Sequence, residues 1–135
     1  MVQFIPTQGK LFEFEQMQDW IDKDPFHQDN TASWWLKADG ILSAWIYDDK
    51  GPVMFMFAED EGDWVRLHIQ FGPTEEIGKL RIAKALMAIQ PRFIDVMKEL
   101  GKKGIAFKSI SPLLIQFMKR QGFQDWKEND FLLKF

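Results

Sequence analysis

The sequence predicts a mixed α/β (α+β) domain in which a mostly antiparallel sheet is flanked by helices. Several short segments alternate apolar and polar residues, which is typical of strands, and two longer ones repeat apolar residues every three or four positions, which is typical of helices. Hairpin turns separate most of the strands. The predicted order is β-α-β-β-β-β-α-β-α-β-β. Hairpins combined with helices that return to a strand indicate a mixed sandwich rather than a doubly wound sheet.

Length and composition exclude several classes of protein. The 135 residues are expected to form one domain, 1–135. The chain has no Cys and only two His, which excludes disulfides, thiol nucleophiles, Cys-bound zinc and His-rich metal sites, so no metal is expected. A net charge of −3 gives nucleic-acid binding no electrostatic support. No apolar run is long enough to span a membrane and the start of the chain does not read as a signal peptide, so we expect a cytoplasmic protein.

The first half of the chain is predicted to contain a strand, a helix and a meander. Residues 2–5 indicate a short strand that ends at Pro6, and the apolar period of residues 11–21 indicates a helix. The hairpin signal Ala38-Asp39-Gly40 lies inside the meander. The predicted meander strands are 33–37, 41–47, 53–58 and 64–71.

The second half is predicted to be a long helix followed by a strand, a helix and a hairpin. Gly72-Pro73 ends the meander, and Ile82, Leu86, Ile89 and Phe93 place one face of the long helix against the core. The apolar run 105–110 indicates a strand. It is followed by Ser111-Pro112, a strong helix start, and later by Gly122 at the position of a left-handed helix cap. The closing hairpin is predicted at 123–127 and 130–135.

One local segment carries a family resemblance. Phe117-Met118-Lys119-Arg120-Gln121-Gly122-Phe123 resembles the aromatic-Tyr-x-x-x-Gly-Phe segment of the GNAT (Gcn5-related N-acetyltransferase) family, and the strand that ends in Phe131-Leu132-Leu133-Lys134-Phe135 resembles the family's last strand. The predicted element order agrees with the family over nearly the whole chain. The small size and loose motifs are most similar to short GNAT-like proteins encoded by tailed phages.

The resemblance implies acetyl transfer from acetyl-CoA to the amine of a small molecule or a protein. The cofactor is then expected in a V-shaped split between two parallel strands, here 64–71 and 105–110, with its pyrophosphate at the start of the long helix, where free amides and the helix dipole favour anions. Backbone amides near 69–71 are expected to orient the acetyl group. The implied cofactor-binding residues are Ile69, Phe71, Gly78, Lys79, Arg81, Ile82, Ala83 and Ser111.

Three positions depart from the family pattern. Arg81 replaces a Gly that lets the helix backbone approach the phosphates, so its side chain is expected either to obstruct that approach or to grip a phosphate itself. Met118 stands where a Tyr often protonates the leaving thiolate, and a thioether cannot donate a proton. Ser111 stands where an Asn often contacts the cofactor, although a role as helix N-cap also explains it.

His68 and Glu59 are the candidate general bases for removing a proton from the attacking amine. His68 lies on the polar face of the strand 64–71, and Glu59 follows the strand 53–58. An alternative register would make 53–58 the strand on the cofactor side, and His68 would then lose its role.

Two functions from different classes therefore remain open. One is a GNAT-type N-acyltransferase. The other is a catalytically inactive GNAT-fold protein that binds or assembles with a partner, such as a phage structural or accessory protein, located in the virion in that case. Exposed rings at Trp34, Trp35 and Trp126 are the predicted surface for a homodimer or an assembly partner.

Overall fold

The computed structural model describes residues 1–26, 31–37 and 40–135. Within them the strands form one sheet in the order β1-β2-β3-β4-β5-β7-β6. Its strands are β1 (Gln3–Pro6), β2 (Leu42–Asp48), β3 (Gly51–Glu61), β4 (Trp64–Phe71), β5 (Gly104–Lys108), β6 (Gln124–Lys127) and β7 (Asp130–Lys134). The helices are α1 (Leu11–Lys23), α2 (Ala32–Trp35), α3 (Thr74–Ile77), α4 (Lys79–Glu99) and α5 (Pro112–Arg120). The predicted fold class, a mostly antiparallel sheet flanked by helices, is confirmed.

The predicted strand at 33–37 is wrong, because these residues form helix α2 and its C-terminal end. The Thr31 hydroxyl accepts a hydrogen bond from the Trp34 amide at 3.3 Å and so caps the helix. Aromatic residues such as those of this segment are enriched in strands. In the structure the helix instead packs Trp35 on Phe55 of the sheet, and Trp35 is only 1% exposed. Trp35 is therefore not an exposed ring. The predicted turn at 38–39 lies outside the described residues.

The two faces of the sheet carry separate hydrophobic clusters. On one face, α1 and α2 cover Trp45, Phe55 and Phe57. On the other, α4 and α5 cover the opposite sides of β3, β4 and β5, and Leu86 and Ile89 of α4 are buried there as predicted. The sheet is therefore the middle of three layers and separates the two hydrophobic clusters.

The parallel pair β4–β5 is the feature that positions the site. It pairs over three rungs only, Trp64 with Gly104, Val65 with Ile105 and Arg66 with Ala106, whereas β4 continues to Phe71. The other neighbouring strands in the sheet pair antiparallel. The strand next to β5 is thus 64–71. The alternative in which 53–58 takes this place is wrong, because β3 lies between β2 and β4.

The described helices include none that combines the length and the apolar character needed to cross a bilayer. The same part of the chain holds no group of three or more His, Asp or Glu side chains arranged to bind a metal ion.

Candidate functional site

Beyond their three shared rungs, β4 and β5 border two cavities. The larger measures about 530 Å³ and lies between the end of β4, the start of α4 and the start of α5. Its apolar wall includes Phe71, Ile82, Ala83, Leu86, Leu113, Leu114 and Phe117. Its charged lining consists of Lys23, Asp24, Glu75 and Lys79.

The start of α4 supplies the polar end of the large cavity. Gly78, with φ +92°, precedes the helix, and a Cβ built there would meet nothing within 4 Å. The first amides of a helix have no acceptor within it and carry the positive end of its dipole. Lys79, the first residue of this 21-residue helix, lines the cavity, so the start of the helix borders it.

Arg81 does not line this cavity. Its guanidinium donates to the Asp48 carboxylate, at 2.5 Å from Nε and 2.7 Å from Nη2, and to the Gly51 carbonyl at 3.2 Å. The hydrogen bond from Arg81 lowers the pKa of Asp48, and the bond to Asp48 raises the pKa of Arg81. The β2–β3 hairpin therefore holds this side chain, and neither predicted role, gripping a phosphate or obstructing it, matches its position.

The smaller cavity, about 60 Å³, lies in the split itself. Side chains from both sides of the sheet line it: Trp35, Leu67, His68, Ile69, Phe107, Lys108, Ser109, Leu114 and Met118. Ser109 and Leu114 also line the large cavity, so the two cavities adjoin at these residues. The split thus connects the α4–α5 side of the sheet with the α1–α2 side.

The two predicted bases, His68 and Glu59, form one hydrogen-bonded pair. Nε2 of His68 lies 2.5 Å from Oε1 of Glu59. The imidazole meets the rings of Trp34 and Phe57 edge-on, at centroid distances of 5.0 and 5.8 Å. Burial lowers the pKa of His68, while the hydrogen bond to Glu59 acts in the opposite direction. Because the net change is downward, His68 is neutral and able to accept a proton at neutral pH.

The contact with Glu59 also fixes which nitrogen of His68 is basic. A carboxylate only accepts, so Nε2 carries the hydrogen and donates it. Nδ1 of the neutral ring then holds the lone pair. An imidazole oriented by a carboxylate is a general-base arrangement, and this one stands at the wall of the small cavity.

Ser109 is a functional candidate that the sequence did not suggest. Its Oγ accepts a hydrogen bond from the Ser111 amide at 3.0 Å, which leaves the hydroxyl proton to be donated elsewhere. Ser111, which the sequence did suggest, accepts from the Leu114 amide at 3.4 Å and caps α5. Met118 lines the same small cavity and is 1% exposed. The predicted strand 105–110 includes Ser109, whereas β5 ends at Lys108 in the structure, so Ser109 directly follows the strand that borders the split.

The structure brings most of the predicted site residues together. Those at the large cavity are Phe71, Lys79, Ile82, Ala83 and Ser111, with Gly78 next to them. Ile69 and His68 are at the small cavity, and Glu59 is joined to His68. Arg81 is the one that faces elsewhere, toward Asp48.

No family model matches this sequence, and a search of curated proteins found no match. Its structure does match solved structures. The ribosomal-protein-S18-alanine N-acetyltransferase of Escherichia coli superposes with a TM-score of 0.70 at 12% identity, over 99% of this chain and 94% of that one. A GNAT-family acetyltransferase from Brucella melitensis, solved with acetyl-CoA, gives 0.63 at 13%, over 100% and 88%.

The fold is that of the GNAT acetyltransferases. A third structure, the PaiA N-acetyltransferase of Thermoplasma acidophilum in complex with coenzyme A, agrees, with a TM-score of 0.59 at 14% identity over 100% of this chain and 99% of that one. At these identities the similarity concerns the GNAT fold, and the chemistry has to be argued from this chain's own residues. The resemblance suggested by the Gly122-Phe123 segment is confirmed at the level of fold.

Proposed function

We propose that this chain is an N-acyltransferase that moves the acetyl group of acetyl-CoA to a primary amine. The observation that carries the proposal is the pair of adjoining cavities at the β4–β5 split. The large one offers an apolar wall and a helix start, and the small one holds the His68–Glu59 pair. When bound, acetyl-CoA supplies an acyl group activated as a thioester. The absence of Cys suits a reducing compartment, and we infer the cytoplasm as the location.

The chain's own residues fit such a ligand. Phe71, Ile82 and Ala83 form an apolar wall for the long arm of the cofactor, and Lys79 with the first α4 amides suits its phosphates. The β4–β5 ladder ends at Arg66, so β4 runs beyond its last β5 partner toward 69–71, where backbone amides were expected to orient the acetyl group. Glu75 lines the same cavity, and its charge works against an anion.

In this proposal His68 accepts the proton of the amine, and Ser109 stabilises the leaving group by a hydrogen bond. A primary amine is largely an ammonium at neutral pH, since the ordinary pKa of a lysine is about 10.4. Nδ1 of His68 takes a proton from it, and the Glu59 carboxylate stabilises the imidazolium that results. The Ser109 hydroxyl, which belongs to a residue lining both cavities, would donate a hydrogen bond to the departing thiolate, whose proton then comes from solvent; the thioether of Met118 has no such donor.

Binding and turnover test the proposal in sequence. Acetyl-CoA at about a hundredfold excess over its Kd should stabilise the protein by about 2.7 kcal/mol, which a thermal-shift assay detects. Release of the coenzyme A thiol in the presence of an amine then measures transfer. His68→Gln should retain the thermal shift and lower the transfer rate by about 100-fold. No shift at saturating acetyl-CoA would refute the proposal.

The second candidate is a GNAT-fold binding or assembly module without catalysis. Met118 favours it, since it stands where many GNAT enzymes carry a Tyr. This candidate requires that no amine accelerates thiol release even when acetyl-CoA binds. A homodimer or an assembly partner, a virion protein among them, would then be sought on the partly exposed rings of Trp34 and Trp126.

A further inference from the structure

Lys37 places a primary amine on two aromatic rings that also contact the candidate base. The residue follows α2, its side chain is exposed, and its Nζ lies over two aromatic faces, 4.8 Å from the centre of the Trp34 ring and 4.9 Å from that of Phe57. Cation–π contacts at exposed sites are weak, so they favour this position of the ammonium without fixing it.

The same two rings contact His68. Phe57 faces His68 directly in the β3–β4 register, and the edge-on contacts of both rings with the imidazole were described above. The Lys37 ammonium and the His68 imidazole therefore contact the same two aromatic rings. A four-carbon stem with free torsions lets that ammonium move over these rings while its backbone stays in place.

We propose that the protein acetylates its own Lys37, by transfer from acetyl-CoA bound at the β4–β5 split. This inference rests on the proposed function. Lys37 follows α2, and the two rings under its ammonium contact His68, which lines the small cavity. Lys108, in contrast, belongs to the cavity wall and is held in β5. An amine tethered beside its base has a high effective concentration, which favours reaction within one molecule.

The step balances without a further reactant. The lone pair of Lys37 Nζ forms a bond to the thioester carbonyl carbon, the carbon–sulfur bond breaks, and the sulfur leaves as coenzyme A thiolate. The protons lost by the nitrogen pass to Nδ1 of His68 and to solvent, and the thiolate takes a proton from solvent. The products are Nε-acetyl-Lys37 and free coenzyme A. The side chain loses its charge and with it the cation–π contacts on Trp34 and Phe57.

Intact-protein mass and peptide mapping after incubation with acetyl-CoA test this directly. We expect one acetyl group, on Lys37, at a first-order rate that does not change with protein concentration. Lys37→Arg should abolish it and His68→Gln should slow it by about 100-fold. Lys50→Arg, which changes an exposed lysine of the β2–β3 turn, is the matched control and should leave it unchanged. Labelling confined to Lys108, or spread over surface lysines at a rate that His68→Gln does not change, overturns the inference.

Two further measurements separate this inference from the proposed function. Free coenzyme A, which cannot transfer an acetyl group, should perturb the NMR signals of the Lys37 side chain and of His68 and leave those of Lys50 in place. n-Butylamine serves as an external acceptor. If it is acetylated while Lys37 is not, the inference fails and the proposed function stands. If acetyl-CoA causes no thermal shift, the proposed function itself fails.

Discussion

The guanidinium of Arg81 donates two hydrogen bonds to the carboxylate of Asp48 and so ties the first turn of α4 to the hairpin between β2 and β3. Both side chains are 20% exposed, which places the pair below the surface but within reach of water. The pair has a consequence for the site. The Arg that replaces a family Gly is turned toward a partner 33 positions earlier in the chain, and the cavity at the helix start stays open.

Arg81→Gln is therefore expected to affect stability and not cofactor binding. Losing a two-pronged ion pair at this depth should cost about 1–2 kcal/mol of unfolding free energy, measured by urea titration. The Kd for acetyl-CoA should stay within about twofold. Asp48→Asn is the matched variant, because it removes the same pair from the other side. A large loss of affinity in Arg81→Gln with unchanged stability would instead support a direct grip on phosphate.

The pH dependence of acetyl transfer should report His68. Because burial lowers its pKa below the ordinary value of 6.5, the midpoint of the acid limb in the pH profile of kcat/KM should lie below pH 6.5. Glu59→Gln removes the partner that works against this decrease, so the limb should move to still lower pH and the plateau rate should drop. A limb that moves to higher pH would contradict the assigned roles.

The lowered pKa of His68 should also make the stability of the protein depend on pH. Since the folded pKa of His68 lies below the unfolded one, the unfolded chain binds more protons between the two values. The contribution of His68 to the unfolding free energy is thus complete above pH 6.5 and is lost as the pH falls through the folded pKa. Urea titrations of the wild type and of His68→Gln at several pH values measure it. The wild type should lose more stability than the variant over this range.

The sequence predicts the elements of this site better than it predicts the contacts within it. The strands that border the split, the Ser111-Pro112 helix start and the polar positions of Glu59 and His68 all follow from local patterns. The partner of Arg81 and the fit of Trp35 onto Phe55 depend on residues far apart in the chain. Local pattern cannot show them, which is why 33–37 was predicted as a strand and Arg81 was expected at the cofactor.

Replacing Ser111 should mainly affect stability, whereas replacing Ser109 should mainly affect kcat. Ser111→Ala removes the cap on the Leu114 amide and should cost about 0.5–1 kcal/mol of stability with little change in kcat. Ser109→Ala removes the hydroxyl that borders both cavities and should lower kcat about 10- to 100-fold. If instead Ser111→Ala lowers kcat and Ser109→Ala does not, Ser111 would be the cofactor contact that the GNAT resemblance implies.

Charge at the mouth of the large cavity should tune affinity for acetyl-CoA. Lys79→Gln removes a cation at the start of α4 and should weaken binding by about two- to fivefold, whereas Glu75→Gln removes an opposing anion and should strengthen it by a similar factor. Both effects should shrink as salt is added, because these groups border solvent. Isothermal titration at low and high salt measures them. Equal affinities for the two variants would place the phosphates elsewhere.

Gly104, the one glycine of the β4–β5 pair, should not tolerate replacement. A Cβ there would lie 2.8 Å from the Trp64 ring and would also collide with the Leu133 carbonyl, and backbone cannot give way as a flexible side chain can. Gly104→Ala should therefore cost about 2–3 kcal/mol in a urea titration. It should also weaken acetyl-CoA binding, because Trp64–Gly104 is the first rung of the ladder that sets the split. Gly62→Ala is the control, with φ +76° and open space around its Cβ, and should cost about 1 kcal/mol from backbone strain alone. Equal losses in the two variants would mean that β5 shifts freely, and the split would then not be a fixed feature of the fold.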